Sequence, residues 1–429
     1  MSLLKVQPSK LKGEVTAPPS KSYTHRAFMV ALLARGESRI KGPLLGFDTQ
    51  ATIDAVSALG AEVSQEGEVW KVRGTGGKLK PQTNLIDAKN SGTTIRLMSA
   101  IASLSQKPVK FTGDESIQKR PMGPLIDALS DLGAKVRCEG PQGRPPVVVG
   151  GGIEGGEIEI TEAVSSQFIS ALLLAVPYAK GDTKISIKEK MRSRPYVDIT
   201  LELLDAAGAK VKRNQDLTEF SIPSGQVLKP LDITIPGDFS SAAFVFGAAA
   251  ITGSTVAVKN LDLKGAQGDK RIIELIMEFG ADVSVKEKSV KVSGVGKLEG
   301  IDVDCGDTPD LVPILSVMGS VAEGRTSISN VPHLRAKETD RLRALALGLG
   351  ELGAEVKELK DGLQIKGVSG LKGTRVESFY DHRMAMAFAV AGLVAKGQTL
   401  VSGAESIPVS YPNFVEDMRK LGAKIEIVE

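Results

Sequence analysis

The chain has 429 residues, of which 42% are hydrophobic, and a formal net charge of only +3. This length suggests two or three domains with a sizeable apolar core. The balanced charge argues against a general affinity for nucleic acid or membrane surfaces, so any basic site must be local.

The N-terminal segment and the cysteines favour a reducing compartment. The opening residues, MSLLKVQ, lack the apolar core of a signal peptide. The two cysteines, Cys138 and Cys305, are too few for a disulfide framework. Apolar stretches such as residues 384–395 are shorter than the ~20 residues that a membrane-spanning helix needs. We therefore expect a cytoplasmic protein that binds neither nucleic acid nor membrane.

Along the chain, a helix-like run ends six times in the same kind of five-residue phrase, such as Leu-Gly-Ala-Glu-Val. The phrases occupy residues 59–63, 132–136, 207–211, 279–283, 352–356 and 421–425, and their glycines are 73, 75, 72, 73 and 69 residues apart. A fixed period predicts one structural unit copied six times. The glycine suits the left-handed position that closes a helix, and the β-branched residue after it begins a strand.

Each copy also contains a second helix, made of small apolar residues with a polar start. The starts read PSKSYTHR (19–26), NSGTTIR (90–96), VSSQF (164–168), GDFSSAAF (237–244), TPDLVP (308–313) and YDHRMAMA (380–387). A helix that is apolar on all sides is a buried helix. The sequence thus predicts mixed α/β structure, with one amphipathic and one buried helix per repeat and three repeats in each half.

The division between the halves is expected where prolines interrupt the repeats. Lys229-Pro230 marks one crossing and Pro18-Pro19 a second, provided that the first strand pairs with the C-terminal half. We therefore expect one domain from residues 14–228 and another from residues 1–13 with 229–429. The active site is expected in the cleft between them.

The polar helix starts are candidates for anion binding, because a helix N-terminus presents free N–H groups and partial positive charge. Lys21 and Ser22 lie at one start, with Arg26 one turn later. Basic residues also crowd near the repeat junctions: Arg120, Arg194, Lys337, Arg341 and Arg383. A lone arginine is more often a solvated surface charge. Recurrence beside helix starts favours a site for phosphate and carboxylate groups, which arginine binds in pairs of hydrogen bonds.

Two acids stand beside these basic residues. Asp310 and Glu338 lie near helix starts, and Lys337 immediately precedes Glu338. Acids at helix starts are often only caps, which would suffice to explain Asp238 and Asp381. An acid that points into an anion-binding cleft, however, is suited to general acid–base catalysis. The three histidines, His25, His333 and His382, are too scattered for metal-ligand spacing, so packing or capping is their default role.

Taken in order, nine segments resemble the 3-phosphoshikimate 1-carboxyvinyltransferase family, also called 5-enolpyruvylshikimate-3-phosphate synthases. They are PPSKSYTHR (18–26), NSGTTIR (90–96), GDESIQKRPMGPLIDAL (113–129), VSSQF (164–168), SRPY (193–196), GDFSSAAF (237–244), TPDL (308–311), HLRAKETDRL (333–342) and YDHRMAMAF (380–388). The resemblance spans nearly the full chain. It implies two domains, each an inside-out α/β barrel of three βαβαββ units with buried helices.

The resemblance also implies the reaction: transfer of the enolpyruvyl group of phosphoenolpyruvate to the 5-hydroxyl of shikimate 3-phosphate, in the pathway to chorismate. It implies a monomer with no metal and no organic cofactor. The implied catalytic residues are Asp310, Glu338 and Lys21. Shikimate 3-phosphate would bind Lys21, Ser22, Arg26, Ser165, Ser166, Gln167, Ser193, Tyr196, Asp310, His333 and Lys337. Phosphoenolpyruvate would bind Lys21, Asn90, Gly92, Arg120, Gln167, Arg341, His382 and Arg383.

Two positions depart from the family pattern. Val409 stands where many members carry a lysine, and His333 stands where some carry asparagine. One alternative is the related UDP-N-acetylglucosamine 1-carboxyvinyltransferase, whose active-site loop usually contains a cysteine; residues 113–121 contain none. The other alternative is a non-catalytic anion-binding relative, which would need the arginines but neither Asp310 nor Glu338.

Overall fold

A computed structural model describes residues 2–161, 165–189, 191–294 and 296–429. Val164 of the VSSQF segment therefore lies outside the described residues. The chain divides into two compact units, which we call the first and second units. The first unit is Pro19–Ile235, and the second combines Met1–Pro18 with Pro236–Glu429. None of the described helices has the length and apolarity to cross a membrane.

The described strands are short, and most have three to five residues. They are β1 (Leu3–Gln7), β2 (Lys12–Thr16), β3 (Glu37–Lys41), β4 (Glu62–Glu66), β5 (Val69–Arg73), β6 (Leu85–Asp87), β7 (Val109–Thr112), β8 (Lys135–Gly140), β9 (Arg144–Gly150), β10 (Gly156–Ile160), β11 (Thr183–Ile187), β12 (Lys212–Arg213), β13 (Glu219–Ile222), β14 (Asp232–Thr234), β15 (Thr255–Lys259), β16 (Asp282–Lys286), β17 (Ser289–Ser293), β18 (Asp302–Asp304), β19 (Arg325–Ser329), β20 (Glu355–Leu359), β21 (Gly362–Lys366), β22 (Arg375–Val376), β23 (Thr399–Ser402) and β24 (Lys424–Val428).

The described α-helices alternate with these strands. They are α1 (Lys21–Leu33), α2 (Phe47–Ala58), α3 (Gly92–Ala102), α4 (Glu115–Gln118), α5 (Gly123–Asp131), α6 (Ser166–Ala175), α7 (Pro195–Ala206), α8 (Phe239–Thr252), α9 (Ile272–Glu278), α10 (Val312–Val321), α11 (Arg341–Glu351), α12 (His382–Gly392) and α13 (Phe414–Lys420). Short 3-10 helices cover Val176–Tyr178, Gly268–Arg271, Pro309–Leu311, Pro332–Ala336 and Ala404–Val409.

The described strands form six sheets of four strands, three in each unit. The orders are β14-β3-β5-β4, β6-β7-β9-β8 and β10-β11-β13-β12 in the first unit, and β2-β15-β17-β16, β18-β19-β21-β20 and β22-β23-β1-β24 in the second. In every sheet the first two strands are parallel and the remaining pairs are antiparallel. This common pattern confirms the βαβαββ repeats.

Three sheets take one strand from a distant part of the chain. Strand β1 lies between β23 and β24, with Leu3 opposite Val428. Strand β2 pairs with β15 through Thr16, and β14 pairs with β3 through Thr234. The units consequently divide at 18/19 and 235/236. These divisions fall a few residues after the expected boundaries at 13/14 and 228/229, because β2 and β14 each continue to pair within their own unit.

Each unit buries its small-residue helices and leaves one face of the others exposed. Helices α1, α3 and α6 have nearly all residues buried in the first unit, as do α8, α10 and α12 in the second. Helices α8, α10 and α12 pack against one another in the second unit. The amphipathic helices α2, α5, α7, α9, α11 and α13 cover the outside of the same units. The burial expected from composition is therefore confirmed.

The six repeated glycines all adopt left-handed backbone conformations, with φ between 78° and 106°. They are Gly60, Gly133, Gly208, Gly280, Gly353 and Gly422. The N–H of the following alanine bonds to the carbonyl five residues earlier, as from Ala61 to Val56 at 3.3 Å, and the same bond forms in all six repeats. This is the six-to-one bond of a Schellman helix end. The predicted helix-to-strand junction is confirmed.

Three glycine-to-alanine variants separate backbone strain from crowding. Gly280→Ala should destabilise by roughly 1–2 kcal/mol, the cost of a Cβ in the left-handed region, since its nearest neighbour would be Lys297 O at 3.7 Å. Gly60→Ala should cost more, because its Cβ would also lie 2.9 Å from Lys80 O. Gly350→Ala, inside α11 with open space, should stabilise by about 0.5–1 kcal/mol. Thermal unfolding checks this order; equal melting temperatures for the variants of Gly280 and Gly350 would contradict it.

Candidate active site

Several buried helices begin with a side chain that caps the backbone. Ser91 accepts a bond from Thr94 N at 3.1 Å at the start of α3, and Ser165 accepts one from Gln167 N at 3.3 Å at the start of α6. In the second unit Asp238 and Asp381 cap α8 and α12. The capping expected of these two acids is confirmed.

The start of α1 carries two of the predicted cations. Lys21 Nζ lies 3.0 Å from Asp48 Oδ2, with both side chains mostly buried. The Arg26 guanidinium is buried and donates to Thr200 Oγ1 at 2.7 Å and to the Ser22 carbonyl at 3.1 Å. Burial lowers the pKa of Arg26 to about 10, which is still far enough above neutrality to keep it charged. This end of the first unit thus holds positive charge in fixed positions.

His25 lies on the same helix but is a neutral packing residue. Its ring is buried, and Nδ1 lies 2.7 Å from Thr52 Oγ1. Burial, followed by the charges of Lys21 and Arg26, holds the pKa of His25 well below 6.5. The default role expected for this histidine therefore fits its surroundings.

The starts of α3 and α6 are joined by an arginine that was given no role from the sequence. Arg96 Nη1 donates to Gln167 Oε1 at 2.6 Å, and Gln167 Nε2 donates to Thr93 Oγ1 at 3.1 Å. The Arg96 guanidinium also lies 5.3 Å from the centre of the Phe168 ring. Its position one turn after Gly92 in NSGTTIR, on a buried helix, was the available signal. Arg96 fixes the amide of a predicted ligand.

Arg120 packs directly on the first turn of α3. A Cβ on Gly92 would overlap Arg120 Nη1 and would lie 3.5 Å from its Cζ, so a larger residue here would require the guanidinium to move. Arg120 is buried, and its Nη2 donates to Ser116 Oγ at 3.3 Å. Asn90, two residues before Gly92, donates to the Asp114 carboxylate. The predicted residues Asn90, Gly92 and Arg120 therefore share one place in the first unit.

The remaining predicted residues of the first unit lie close to the same helices. Ser166 is the first residue of α6 and is buried, and Ser193 is buried with a left-handed φ of 58°. Tyr196 lies in the first turn of α7, where its N–H bonds to Ser193 O at 3.1 Å. Ser170 of α6 accepts a bond from Arg26 at 3.5 Å. Contacts within the unit thus link α1, α3, α6 and α7.

In the second unit, one buried arginine holds three acids. The Arg341 side chain is 2% exposed. Its Nη1 lies 2.9 Å from Asp310 Oδ1, its Nη2 lies 2.8 Å from Glu338 Oε2, and its Nε lies 2.7 Å from Asp381 Oδ2. The three carboxylates outweigh the effect of burial and raise the pKa of Arg341 above its usual value. Asp381 is therefore more than the cap that its position suggested.

Asp310 bridges two predicted cations. Its Oδ1 pairs with Arg341, and its Oδ2 lies 2.9 Å from Arg383 Nη2. Asp310 lies in the 3-10 turn before α10, whereas Glu338 lies two residues before Asp340, the cap of α11. Two predicted acids and two predicted arginines are thus brought into direct contact within one unit.

Lys337 and His382 lie beside this cluster. Burial lowers the pKa of Lys337, while the Asp310 carboxylate opposes that shift. His382 is buried, with Nδ1 3.9 Å from Asp381 Oδ1. His333 lies in the 3-10 helix Pro332–Ala336, four residues before Lys337. Val409, where a lysine is common in the family, is the last residue of the 3-10 helix Ala404–Val409.

Asp269 is an acid at this site that the sequence reasoning missed. It is buried, and Ser240 Oγ donates a short hydrogen bond to its Oδ2. Burial raises the pKa of Asp269 to about 7, with the negative charge of Asp310 adding to the shift. The segment Gln267-Gly268-Asp269 has no helical pattern, and its burial depends on packing against the start of α8. Near neutral pH the cluster therefore contains an acid that is partly protonated.

The pKa of Asp269 makes stability depend on pH. Between its usual value of 3.8 and about 7, the folded chain keeps a proton that the unfolded chain has lost. The stabilising contribution of this group therefore falls as pH rises through that window. The melting temperature of Asp269→Asn relative to that of the parent should therefore increase as the pH is raised from about pH 5 to about pH 8.5. Exposed Asp282→Asn is the charge-matched control; a pH-independent difference for Asp269→Asn would contradict the shift.

The described residues thus place buried cations in each unit, a set of groups typical of enzymes that act on small anionic substrates. Cations lie at helix starts in one unit, and acids lie in contact with arginines in the other. Among the described residues there is no group of His, Cys, Asp and Glu side chains that could hold a metal ion.

Comparisons with known proteins identify the family. The EPSP synthase (3-phosphoshikimate 1-carboxyvinyltransferase) family matches residues 5–418. The chain is 47% identical over 427 residues to the 3-phosphoshikimate 1-carboxyvinyltransferase of Methanocella arvoryzae, covering 99% of this chain and 100% of the relative. It is 48% identical to that of Methanosarcina mazei, covering 98% of each. A solved EPSP synthase from Acinetobacter baumannii aligns with a TM-score of 0.85 at 30% identity, over 100% of each chain. This chain belongs to the EPSP synthase family.

Proposed function

We propose that this chain transfers the enolpyruvyl group of phosphoenolpyruvate to the 5-hydroxyl of shikimate 3-phosphate. The products are 5-enolpyruvylshikimate 3-phosphate and phosphate, and the route leads to chorismate and the aromatic amino acids. Membership of the EPSP synthase family supports this reaction. The observation that carries the mechanism is the position of Asp310 between Arg341 and Arg383, a carboxylate held among cations that suit an anionic substrate.

The proposed substrate contacts are those that the family resemblance implies. Shikimate 3-phosphate is held by Lys21, Ser22, Arg26, Ser165, Ser166, Gln167, Ser193, Tyr196, Asp310, His333 and Lys337. Phosphoenolpyruvate is held by Lys21, Asn90, Gly92, Arg120, Gln167, Arg341, His382 and Arg383. Val409 cannot supply a cation, so the binding of phosphoenolpyruvate relies on the arginines and Lys21.

The reaction needs proton transfers at two positions: the 5-hydroxyl of shikimate 3-phosphate and the methylene carbon C3 of phosphoenolpyruvate. The 5-hydroxyl loses its proton as its oxygen attacks C2 of phosphoenolpyruvate, while the methylene carbon C3 gains a proton to give a tetrahedral ketal. C3 then loses a proton as phosphate leaves. Asp310 accepts the proton of the 5-hydroxyl. Glu338 and Lys21 transfer protons to and from C3 and the departing phosphate. Cationic groups stabilise the negative charge throughout.

In this proposal, substrate binding activates Asp310 as a base by weakening its ion pairs with Arg341 and Arg383. Without substrate, the Asp310 carboxylate is paired with both arginines. The carboxylate and phosphate of phosphoenolpyruvate compete for the same guanidinium donors. When they bind, the pairs to Asp310 weaken and its proton affinity rises. The base thus becomes effective only when the enolpyruvyl donor is in place.

A phosphate-release assay tests the activity. With phosphoenolpyruvate present, the chain should release phosphate when shikimate 3-phosphate is added and should release none with UDP-N-acetylglucosamine. The reason is that the cluster and its flanking segments match the shikimate enzyme, and the loop 113–121 lacks the cysteine typical of the other family. The opposite preference would overturn the proposal, and turnover of neither acceptor would favour a non-catalytic anion-binding protein.

Asp310→Asn tests the base. Asparagine keeps the size of the side chain but cannot accept the proton, so turnover should fall by ~10²–10⁴-fold, the usual scale for general acid–base catalysis. Binding of shikimate 3-phosphate, measured by calorimetry, should stay within about tenfold, a margin of ~1.4 kcal/mol. Exposed Asp302→Asn, on β18, controls for charge removal in the same unit. Turnover of Asp310→Asn within about threefold of the parent, well short of the ~10²-fold scale, would return Asp310 to a capping role.

We further propose that the chain works as a monomer in the cytoplasm. The two free cysteines, Cys138 and Cys305, support a reducing compartment. Analytical ultracentrifugation at micromolar concentration tests the monomer, and a sedimentation coefficient of a dimer would overturn it.

A further inference from the structure

A continuous chain of buried hydrogen bonds crosses three helices of the first unit. His25 Nδ1 on α1 lies 2.7 Å from Thr52 Oγ1 on α2. Thr52 Oγ1 lies 2.7 Å from Thr94 Oγ1 on α3, which lies 2.7 Å from Ser91 Oγ. His25 is 1% exposed and the three hydroxyl residues are fully buried. Thr52, Thr94 and Ser91 are not among the residues proposed to bind or act on the substrates.

The chain of bonds ends at the cap of α3. Ser91 Oγ accepts the Thr94 N–H, and it lies 2.7 Å from Thr94 Oγ1. The Thr94 hydroxyl also lies 3.4 Å from the Asp48 carbonyl on α2. Burial holds the pKa of His25 well below its usual value, so the ring is neutral and carries one N–H. The links from His25 to Ser91 are therefore uncharged hydrogen bonds in the interior of the unit.

The far end of this chain supports the predicted phosphoenolpyruvate residues. Ser91 immediately precedes Gly92, and the Arg120 guanidinium packs so closely on Gly92 that a Cβ there would overlap Nη1. Any shift of the first turn of α3 therefore moves the surface on which Arg120 rests. Helix α2 also carries Asp48, which pairs with Lys21. The hydrogen-bond chain thus ties the start of α3 to the helices that carry other predicted ligands.

We propose that Thr52 is a positioning residue for phosphoenolpyruvate: its hydroxyl joins His25 to Thr94 and thereby fixes the start of α3 beneath Arg120. This inference rests on the proposed function. Thr52 is fully buried and acts through other residues. Its hydroxyl lies between His25 Nδ1 and Thr94 Oγ1, so its loss removes a partner from both. Because buried polar groups are costly when unpaired, the first turn of α3 would adjust its position in response, whereas α1 keeps the bonds of Arg26 to Thr200 and Ser22.

The test compares three variants of equal or nearly equal size by steady-state kinetics in both substrates. Thr52→Val removes the hydroxyl, and Thr52→Ser restores it. Thr183→Val is the matched control, because Thr183 is a fully buried threonine of the same unit whose hydroxyl has no hydrogen-bond partner among the described residues. For Thr52→Val the KM for phosphoenolpyruvate should rise roughly threefold to tenfold, the effect of about one lost hydrogen bond. The KM for shikimate 3-phosphate should stay within about twofold, that is, within ~0.4 kcal/mol.

Thr52→Ser and Thr183→Val should keep both KM values near those of the parent. An unchanged phosphoenolpyruvate KM in folded Thr52→Val, or an equal rise for both substrates, overturns the positioning role. If Thr52→Val loses its cooperative unfolding transition, His25→Leu is measured instead, because it breaks the hydrogen-bond chain at its other end. His25→Leu must then show the same selective rise in the KM for phosphoenolpyruvate. An unchanged KM for phosphoenolpyruvate in His25→Leu also overturns the role. If the parent releases phosphate, these results bear on the positioning role of Thr52 alone. If the parent releases no phosphate, both the positioning role and the proposed function are overturned.

Discussion

The fold depends on one backbone constraint that is met six times: a glycine in the left-handed region ends each amphipathic helix. At every such end, the residue after glycine bonds back to the last full turn, as from Ala134 to Leu129 at 3.0 Å. Another segment then bonds to the C-cap carbonyl, as Glu154 N does to Leu132 O at 2.8 Å and Lys12 N does to Leu421 O at 2.8 Å. The glycine therefore ends the helix, starts the turn into the next strand and leaves the C-cap carbonyl free to bond another segment. The repeats can pack around apolar helices because these exits are all alike.

Burying the apolar helices creates the chemistry of their starts. A buried helix start must satisfy its free N–H groups, and polar caps do so at α3, α6, α8 and α12. In the second unit the cap Asp381 also pairs with Arg341, and the carboxylates of Asp310 and Glu338 accept further bonds from the same guanidinium. These acids occupy donors that suit substrate oxyanions. The arginine cluster of the second unit is therefore held in place by ion pairs of its own.

The repeats, the buried helices and the left-handed glycines could be predicted because each leaves a local mark in the sequence. The crossing near Pro18-Pro19 could also be predicted, but the exact ends of the units could not, since strands as short as β2 and β14 pair according to what the rest of the unit leaves exposed. Asp310 and Glu338 could be singled out as acids near helix starts and basic residues, and their catalytic roles came from family resemblance, but their contact with Arg341 was not predicted. Asp269 and Arg96 were missed because their importance lies in tertiary burial: Asp269 has no periodic neighbours, and Arg96 looks like one charge on an apolar helix.

The order of strands along the chain has a consequence for synthesis on the ribosome. The first unit is one continuous segment and can complete its sheets as soon as β14 has emerged. The second unit contains β1, whose partners β23 and β24 are the last two described strands in chain order. The edges of β1 therefore stay unpaired until β23 and β24 have been made. We expect sequential folding, in which the first unit can form first and the second closes only when β1 meets β23 and β24 in one sheet.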